Sequence, residues 1–233
     1  MDHQKLLEEF VLKKDNFRPD MKIPFRNGNY VCATNGVVGI MIPEKLITQK
    51  FDVGESKANL QEIVDQALKQ ANESCFTPFT VDFGKLPEFT TEPVYKEESV
   101  KCNKCNGEGV IECGECGQDY NCKKCDGSGE LEVEGNKEII GTKISKKQIV
   151  HFGIAEDQSK PVIRYYHYAY FNPKYIVSIA KFFTGKLNVL SIAPKKSCLF
   201  ESEEGIRILL MPMRYTQDPE IKIYELETEN IVA

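Results

Sequence analysis

The stretch Tyr170-Phe171-Asn172-Pro173-Lys174-Tyr175-Ile176 predicts the start of an amphipathic helix. Asn172 is a favourable N-cap, and Pro173 suits the first helical position because its missing amide hydrogen would have no partner there. Gly185 is the expected stop, since glycine readily adopts the left-handed conformation that ends helices. One face of this predicted helix carries the apolar residues Ile176, Ile179, Ala180 and Phe183.

Three β-strands are predicted to follow this helix, over residues 187–193, 197–200 and 206–213. Each is a short apolar run bounded by polar or turn-forming residues, which is typical of strands. The chain continues beyond them as a tail over residues 216–233. Two interpretations of this tail remain open at the sequence level, an added edge strand and a mobile acidic end.

The N-terminal half shows a similar order of elements. Residues 2–14 form a predicted helix, with Asp2 as its N-cap and an apolar stripe on one face. Residues 24–42 contain Asn-Gly pairs at 27–28 and 35–36, which favour tight hairpin turns. This region therefore predicts three short antiparallel strands, and residues 57–72 predict a further amphipathic helix.

Composition limits the class of protein. The chain has 233 residues, 41% of them hydrophobic, so it can build a core and one or two domains. No apolar run reaches the roughly 18 residues that a membrane helix needs, and no secretory signal opens the chain, so we expect a cytoplasmic protein without a membrane partner. The net charge of −5 means that any contact with nucleic acid must come from a local basic patch.

Six of the nine cysteines lie within residues 102–125, in three CxxC pairs. The first and third pairs share the form CxxCxGxG, ending at Gly109 and Gly129. Two CxxC turns supply the four thiolates of a tetrahedral zinc site, and the glycines let backbone amides approach the sulfurs. The alternatives are a redox dithiol and unconnected buried thiols, but a redox CxxC occurs once at a strand–helix junction rather than in a glycine-rich series. The predicted ligands are Cys102, Cys105, Cys113, Cys116, Cys122 and Cys125.

This cluster resembles the cysteine-rich zinc module of J-domain co-chaperones, which has four such repeats and two zinc sites. The resemblance covers about 30 residues and implies that the outer pairs share one ion. Cys113 and Cys116 could join a second ion only with help from another residue such as Asp119, or they could belong to an alternative pairing of the cysteines. We expect one Zn²⁺, with two left open. The chain has no J domain and no His-Pro-Asp motif.

A second resemblance is to the bacterial sliding clamp, the beta subunit of DNA polymerase III. In that family a helix that begins with "FNxxYL" precedes three strands, and the chain ends on an apolar strand with "MPMR". Here the stretch from Tyr170 to Ile176 matches the helix start. The strand end is matched by Gly205-Ile206-Arg207-Ile208-Leu209-Leu210-Met211-Pro212-Met213-Arg214-Tyr215. The segment Tyr30-Val31-Cys32-Ala33-Thr34-Asn35-Gly36-Val37-Val38-Gly39-Ile40 is similar to the clamp's "ATDGHRLA" hairpin, with Asn35 in place of the Asp.

The clamp resemblance implies an α+β fold in which a domain of two helix-plus-antiparallel-strand repeats is interrupted by the zinc insertion. The expected boundaries are 1–45 and 160–215 for the clamp-like domain, 46–100 for a helix and loop insertion, 101–130 for the zinc module, 131–159 for return strands and 216–233 for the tail.

The same resemblance implies where ligands would bind. Clamp helices line a ring and direct basic side chains toward DNA phosphates. The corresponding basic side chains here would be Lys13, Lys14, Lys174 and Lys181. A solvated charged face is the alternative. The "MPMR" strand of clamps contributes to a groove for partner peptides, corresponding to Met211, Pro212 and Met213, which could equally be core residues. One clamp-like domain per chain would have to form a homo-oligomer to close a ring.

No nucleotide-binding loop or catalytic motif is present, so we expect a non-enzymatic protein. The leading hypothesis is a clamp-like protein that binds double-stranded DNA as a replication or processivity accessory of phage or mobile-element type. The alternative is a zinc-dependent module that binds a replication protein or another partner peptide without DNA contact. A third is chaperone-like binding of unfolded chains.

Overall fold

Two compact units make up the chain in the computed structural model. One unit combines Met1–Phe89 with Lys146–Ala233, and the other is Thr90–Ser145. The residues that the structure describes are 1–13, 18–48, 53–74, 76–95, 99–112, 114, 116–132, 139–152, 169–193, 196–213 and 220–230.

The larger unit contains three α-helices, α1 (His3–Phe10), α2 (Leu60–Glu73) and α3 (Pro173–Ala180). Polar side chains cap all three: Asp2 accepts a hydrogen bond from the Lys5 amide, Asn59 from the Glu62 amide and Asn172 from the Lys174 amide. The helices predicted from the apolar periodicity are therefore present. Single-turn helices also occur at Pro19–Met21, Glu44–Leu46 and Phe83–Lys85. Within the described residues, no helix combines the length and apolar character needed to cross a membrane.

The strands are numbered in chain order. They are β1 (Phe25–Asn27), β2 (Tyr30–Thr34), β3 (Val38–Pro43), β4 (Phe79–Asp82), β5 (Thr91–Tyr95), β6 (Ser99–Lys101), β7 (Val110–Glu112), β8 (Asp119–Asn121), β9 (Glu130–Glu132), β10 (Ile139–Ile144), β11 (Gln148–Phe152), β12 (Lys186–Ala193), β13 (Lys196–Glu201), β14 (Arg207–Leu210), β15 (Lys222–Leu226) and β16 (Thr228–Asn230).

An antiparallel sheet of eight strands forms the frame of the larger unit, in the order β1-β2-β3-β14-β13-β12-β4-β16. Its central pairing joins the two halves of the chain, because β14 lies against β3 with Ile208 opposite Ile40. A separate parallel pair joins β11 to β15. The mixed α/β architecture with an antiparallel sheet agrees with the predicted α+β class. The division into two repeats at 1–45 and 160–215 stays a prediction.

Two of the strand turns are formed by residues that the sequence singled out. Gly28 and Asn29 connect β1 to β2, and Gly28 has a φ of 60°, which glycine adopts without strain. In the next turn the Asn35 side chain accepts hydrogen bonds from the amides of Val37 and Val38, at 3.0 and 2.9 Å. These side-chain bonds hold the turn between β2 and β3.

The sheet is covered by helices on both faces. α1 and α3 pack on one face, where Leu6, Phe10, Ile176 and Ile179 share a core with the inward-facing residues of β2, β3 and β14. α2 packs on the other face against Cys32, Met41, Leu199 and Leu209, which are the alternate residues of β2, β3, β13 and β14. Since successive strand side chains point to opposite faces, both faces of the sheet are apolar and both need a cover.

The smaller unit, Thr90–Ser145, consists of three two-stranded ladders: β5 with β10, β6 with β9, and β7 with β8. All three are antiparallel. Its buried apolar cluster consists of four cysteines with Ile111 and Leu131 packed against them.

Candidate metal centre

The cysteine cluster is built from two similar segments, 99–112 and 119–132, offset by 20 positions. Each segment is a strand, a CxxCxGxG turn and a second strand. The strands pair crosswise, because β6 of the first segment joins β9 of the second, and β7 joins β8. The two turns consequently face each other and bring two CxxC pairs together.

Four sulfurs meet between these turns. The Sγ atoms of Cys102, Cys105, Cys122 and Cys125 all lie within 4.8 Å of one another, and all four residues are buried. Cys102 Sγ is 3.8 Å from Cys122 Sγ, and Cys105 Sγ is 3.7 Å from Cys125 Sγ. In a tetrahedral zinc site with Zn–S bonds of roughly 2.3 Å, neighbouring sulfurs stand about 3.8 Å apart. The arrangement is therefore compatible with one four-thiolate zinc site.

Backbone amides support the sulfurs, as the repeated glycines predicted. The amide of Gly109 donates to Cys105 Sγ and the amide of Gly129 donates to Cys125 Sγ, both at 3.3 Å. Such second-layer hydrogen bonds orient the ligands of a metal and stabilise thiolate charge. The two segments also hold each other, because the Cys102 amide donates to the Gly129 carbonyl and the Cys122 amide to the Gly109 carbonyl, both at 2.8 Å.

The thiol pKa values differ within the cluster. Burial raises the pKa of Cys102, but the amides of Lys104 and Cys105 outweigh it and lower that pKa to about 6. Burial, with the neighbouring sulfurs, raises the pKa of Cys125 to about 11. In the absence of a cation, the four sulfurs cannot all carry negative charge at neutral pH. A divalent metal would supply the missing positive charge, which is how metal binding releases thiol protons.

Of the middle cysteine pair, the structure describes Cys116 alone. Cys116 is exposed and lies outside the group of four sulfurs. Cys113 lies outside the described residues, so its predicted role as a ligand stays a prediction. The described residues thus bring together the four cysteines of the outer pairs, which is the set that the co-chaperone resemblance implied for one ion.

Two further cysteines, Cys32 and Cys198, are buried in the larger unit. Burial raises the pKa of Cys32 to about 12 and holds that of Cys198 well above the usual value. These thiols are therefore protonated core side chains, and the sequence singled out neither as a ligand.

The predicted DNA-contacting lysines lie at the ends of two helices. Lys13 follows α1, while Lys174 and Lys181 lie at the start and just after the end of α3, and the α3 lysines are exposed. Lys14 lies outside the described residues. Lys13 and Lys181 both pair with Glu9, at 3.1 and 3.3 Å. Sequence periodicity did not predict this shared carboxylate, because periodicity places residues on a helix but does not show where two helices meet.

The predicted peptide-contacting residues follow β14. Met211 is exposed at 41%, and Pro212 and Met213 are half-buried. The Met211 amide donates to the Val37 carbonyl at 2.9 Å, and the Met213 amide to the Tyr170 carbonyl at 2.7 Å. The segment is thus held in place by its backbone, while the side chain of Met211 remains at the surface.

Comparison with known proteins reveals similarity to sliding clamps among solved structures. The chain is similar to the beta clamp of Helicobacter pylori bound to a DNA ligase peptide, with 11% identity and a TM-score of 0.36 over 92% of this chain and 63% of that one. The DNA polymerase III beta subunit of Thermotoga maritima has the same identity and TM-score over 92% and 64% of the two chains. A putative beta subunit from Eubacterium rectale has 10% identity and a TM-score of 0.34 over 91% and 64%.

The chain therefore spans 63–64% of the length of these clamp structures. No protein-family model matches it, and no curated protein matches it. Beta clamps are thus among the solved structures to which the chain is similar, as the sequence resemblance predicted.

Proposed function

We propose that this chain is a non-enzymatic, clamp-like protein that binds double-stranded DNA through the surface of α1 and α3. In this proposal it serves as a replication or processivity accessory of phage or mobile-element type, and one Zn²⁺ bound by the four clustered cysteines stabilises its smaller unit. The observation that carries the DNA proposal is that α1 and α3, each flanked by exposed lysines, pack into the same core on one face of the sheet and meet at their C-terminal ends.

Contacts at their C-terminal ends bring these helices together. Lys181 Nζ lies 3.3 Å from Glu9 Oε1, and the rings of Phe10 and Phe182 stand 6.4 Å apart between centroids. The apolar sides of both helices are buried in the same core, so their polar sides form one outward surface. A surface that binds DNA without reading its sequence requires lysines that reach phosphates, not a particular pattern of base contacts.

Glu9 moderates the positive charge of this surface. Burial raises its pKa, but hydrogen bonds from Lys13 and Lys181 outweigh burial and lower it, so the carboxylate is ionised at neutral pH. Exposed ion pairs of this kind contribute only about 0–1 kcal/mol. A DNA phosphate could therefore displace Glu9 as the partner of either lysine at little cost. Lys174 lies over the ring of Tyr175, 5.7 Å from its centroid, and no carboxylate pairs with it among the described ion pairs.

The test reverses charge on this surface. We expect Lys174→Glu with Lys181→Glu to weaken binding to a fluorescent DNA duplex, measured by anisotropy over a range of salt concentrations. Because each phosphate contact contributes about 0.9 to the slope of log affinity against log salt, removing two contacts lowers that slope by roughly two.

A matched control carries the same charge change elsewhere. Lys57 and Lys69 are exposed residues before and within α2, which packs on the other face of the sheet. Lys57→Glu with Lys69→Glu should leave the salt slope unchanged. Equal losses in both double variants would show only a general effect of net charge, and unchanged binding in both would exclude the surface of α1 and α3 as the DNA site.

One observation favours the alternative function, a module that binds partner peptides. The exposed side chain of Met211 follows a strand of the main sheet and belongs to the segment that the clamp resemblance assigned to peptide binding. Methionine adapts to varied apolar partners. Failure of the unmodified chain to bind DNA at low salt, where phosphate contacts are strongest, would favour this alternative. A clamp ring would additionally require this chain to form a homo-oligomer.

A further inference from the structure

We propose that the C-terminal strand β16 is an edge cap, which keeps β4 from pairing with β4 of a second copy of this chain. The inference concerns the sheet alone and does not rest on the proposed DNA binding. It assigns a role to the tail that follows the last predicted strand of the domain.

β16 occupies one outer edge of the eight-stranded sheet. Its three residues pair antiparallel with β4, with Thr228 opposite Val81, Glu229 opposite Thr80 and Asn230 opposite Phe79. Strand β12 pairs with the other side of β4. Without β16, the outward amides and carbonyls of β4 would be left without strand partners, which makes a sheet edge prone to pairing with another chain.

Two contacts to Glu229 hold the cap against the sheet. The Lys186 ammonium lies 2.5 Å from Glu229 Oε2, and the Thr80 hydroxyl donates to the Glu229 carbonyl at 3.2 Å. The pKa of Lys186 is raised by its hydrogen bond to Glu229. The cap is therefore held by a short ladder and one exposed ion pair, not by apolar burial.

The strand before the cap, β15, is anchored in the core independently of the cap. Leu226, the last residue of β15, is buried in the main core, and Tyr224 stacks against Phe89 with centroids 5.0 Å apart. From Glu227 to Glu229, by contrast, no side chain is buried. The chain can consequently lose the cap while β15 stays anchored.

The uncapped edge suits a second copy of this chain. Phe79 and Val81 point into the core, and Thr80 points to the other side. Two copies of β4 paired antiparallel with Thr80 opposite Thr80 keep the core faces on one side and place Phe79 of one copy opposite Val81 of the other. Threonine pairs and aromatic–branched pairs favour strand pairing, and the isologous arrangement satisfies two-fold symmetry. The Asp82 side chains then lie at opposite ends of the pair.

The opposite edge of the sheet carries a similar cover. Gly54 forms a parallel bridge with Phe25 of β1, and its amide donates to the Pro24 carbonyl at 2.8 Å. Both edges thus carry a short segment of the same chain, which is a recognised way of preventing edge-to-edge association.

The test removes the cap and measures association. A variant ending at Leu226 should form a species of twice the mass of the full-length species in sedimentation velocity, with the share of this species rising with concentration. A variant lacking only residues 231–233 keeps β16 and should sediment like the full chain. If the Leu226 variant folds and sediments like the full chain at every concentration, the proposal is wrong.

A second variant tests the same idea without shortening the chain. Glu229→Lys places two ammonium groups together and should shift the chain toward the heavier species, with faster hydrogen exchange of the β16 amides. Adding Lys186→Glu restores an ion pair of reversed polarity and should restore the original sedimentation. If the variant ending at Leu226 does not fold, the two full-length variants decide the question. The capping role would be overturned if Glu229→Lys leaves sedimentation unchanged, or if adding Lys186→Glu does not restore the original sedimentation.

Discussion

At the residue scale, two glycines control the meeting of the cysteine turns. A Cβ atom on Gly109 would lie 2.3 Å from the Gly127 carbonyl oxygen, and one on Gly129 would lie 2.3 Å from that of Gly107. Both glycines have a φ of 78°, in the left-handed region. Each therefore meets two separate requirements for glycine, close backbone approach and positive φ.

We expect Gly129→Ala to weaken metal binding in the smaller unit. The substitution forces the two turns apart and adds backbone strain of about 1–3 kcal/mol, so zinc affinity should fall by roughly tenfold or more. Competition with a coloured chelator measures this affinity.

Gly114 provides the matched control, because nothing lies within 4 Å of the Cβ that alanine would add there and its φ is not positive. Gly114→Ala should bind zinc like the unmodified chain. Equal affinities for the two variants would contradict the packing argument.

At the element scale, the strands β7 and β8 separate Cys116 from the four sulfurs. The ladder runs from Val110 opposite Asn121 to Glu112 opposite Asp119, and Cys116 lies in the connection beyond it. A strand rises about 3.3 Å per residue, so three residues set this connection roughly 10 Å away from the cysteine turns.

The position of this connection predicts one zinc ion per chain in protein purified without oxygen. Cys116→Ser should keep that stoichiometry, whereas Cys122→Ser should lose it, because it removes one of the four clustered sulfurs. Elemental analysis against protein concentration measures both. Two ions in the unmodified chain that fall to one in Cys116→Ser would show instead that the middle pair holds a second metal.

At the scale of the whole molecule, the two units are stabilised in different ways. The larger unit has extensive apolar cores on both faces of its sheet, whereas only Ile111 and Leu131 pack against the cysteines of the smaller one. Structural zinc sites contribute on the order of 10 kcal/mol to folding, which is more than so few apolar side chains can supply.

Chelation should therefore unfold one unit selectively. On removal of zinc under reducing conditions, we expect the amides of β6 to β9 to lose protection from hydrogen exchange. The amides of β2, β3, β13 and β14 should keep theirs, and they serve as the internal control. Protection of β6 to β9 that persists without metal would show that zinc is not what holds the smaller unit together.

Local features could be predicted from the sequence because their causes lie within a few residues. Asn172 and Pro173 start α3, the Asn35 side chain holds its turn, and the repeated CxxCxGxG spacing brings glycine amides to the sulfurs. The use of the outer cysteine pairs was implied by the co-chaperone resemblance. The pairing of β14 with β3 joins the two halves of the chain, while the division into two clamp-like repeats stays a prediction.

Other features depend on residues far apart in the chain. The apolar stripe of α2 predicted a helix but not the sheet face that it covers. Glu9 is the shared partner of Lys13 and Lys181 because the C-terminal ends of α1 and α3 meet in the folded chain. The tail allowed two interpretations, and the structure shows the edge strand, with β15 and β16 on separate sheets.

By itself, then, the sequence determined the helix starts, the turns and the set of cysteines that could bind a metal. Capping, turn formation and CxxC spacing act over three to eight residues, where backbone geometry leaves few alternatives. The tertiary structure alone decided which face of the sheet α2 covers, which lysines share a carboxylate and which strand closes the edge of the sheet. Those choices depend on contacts between distant segments, whose free energies come from the packing of the whole unit and not from any local pattern.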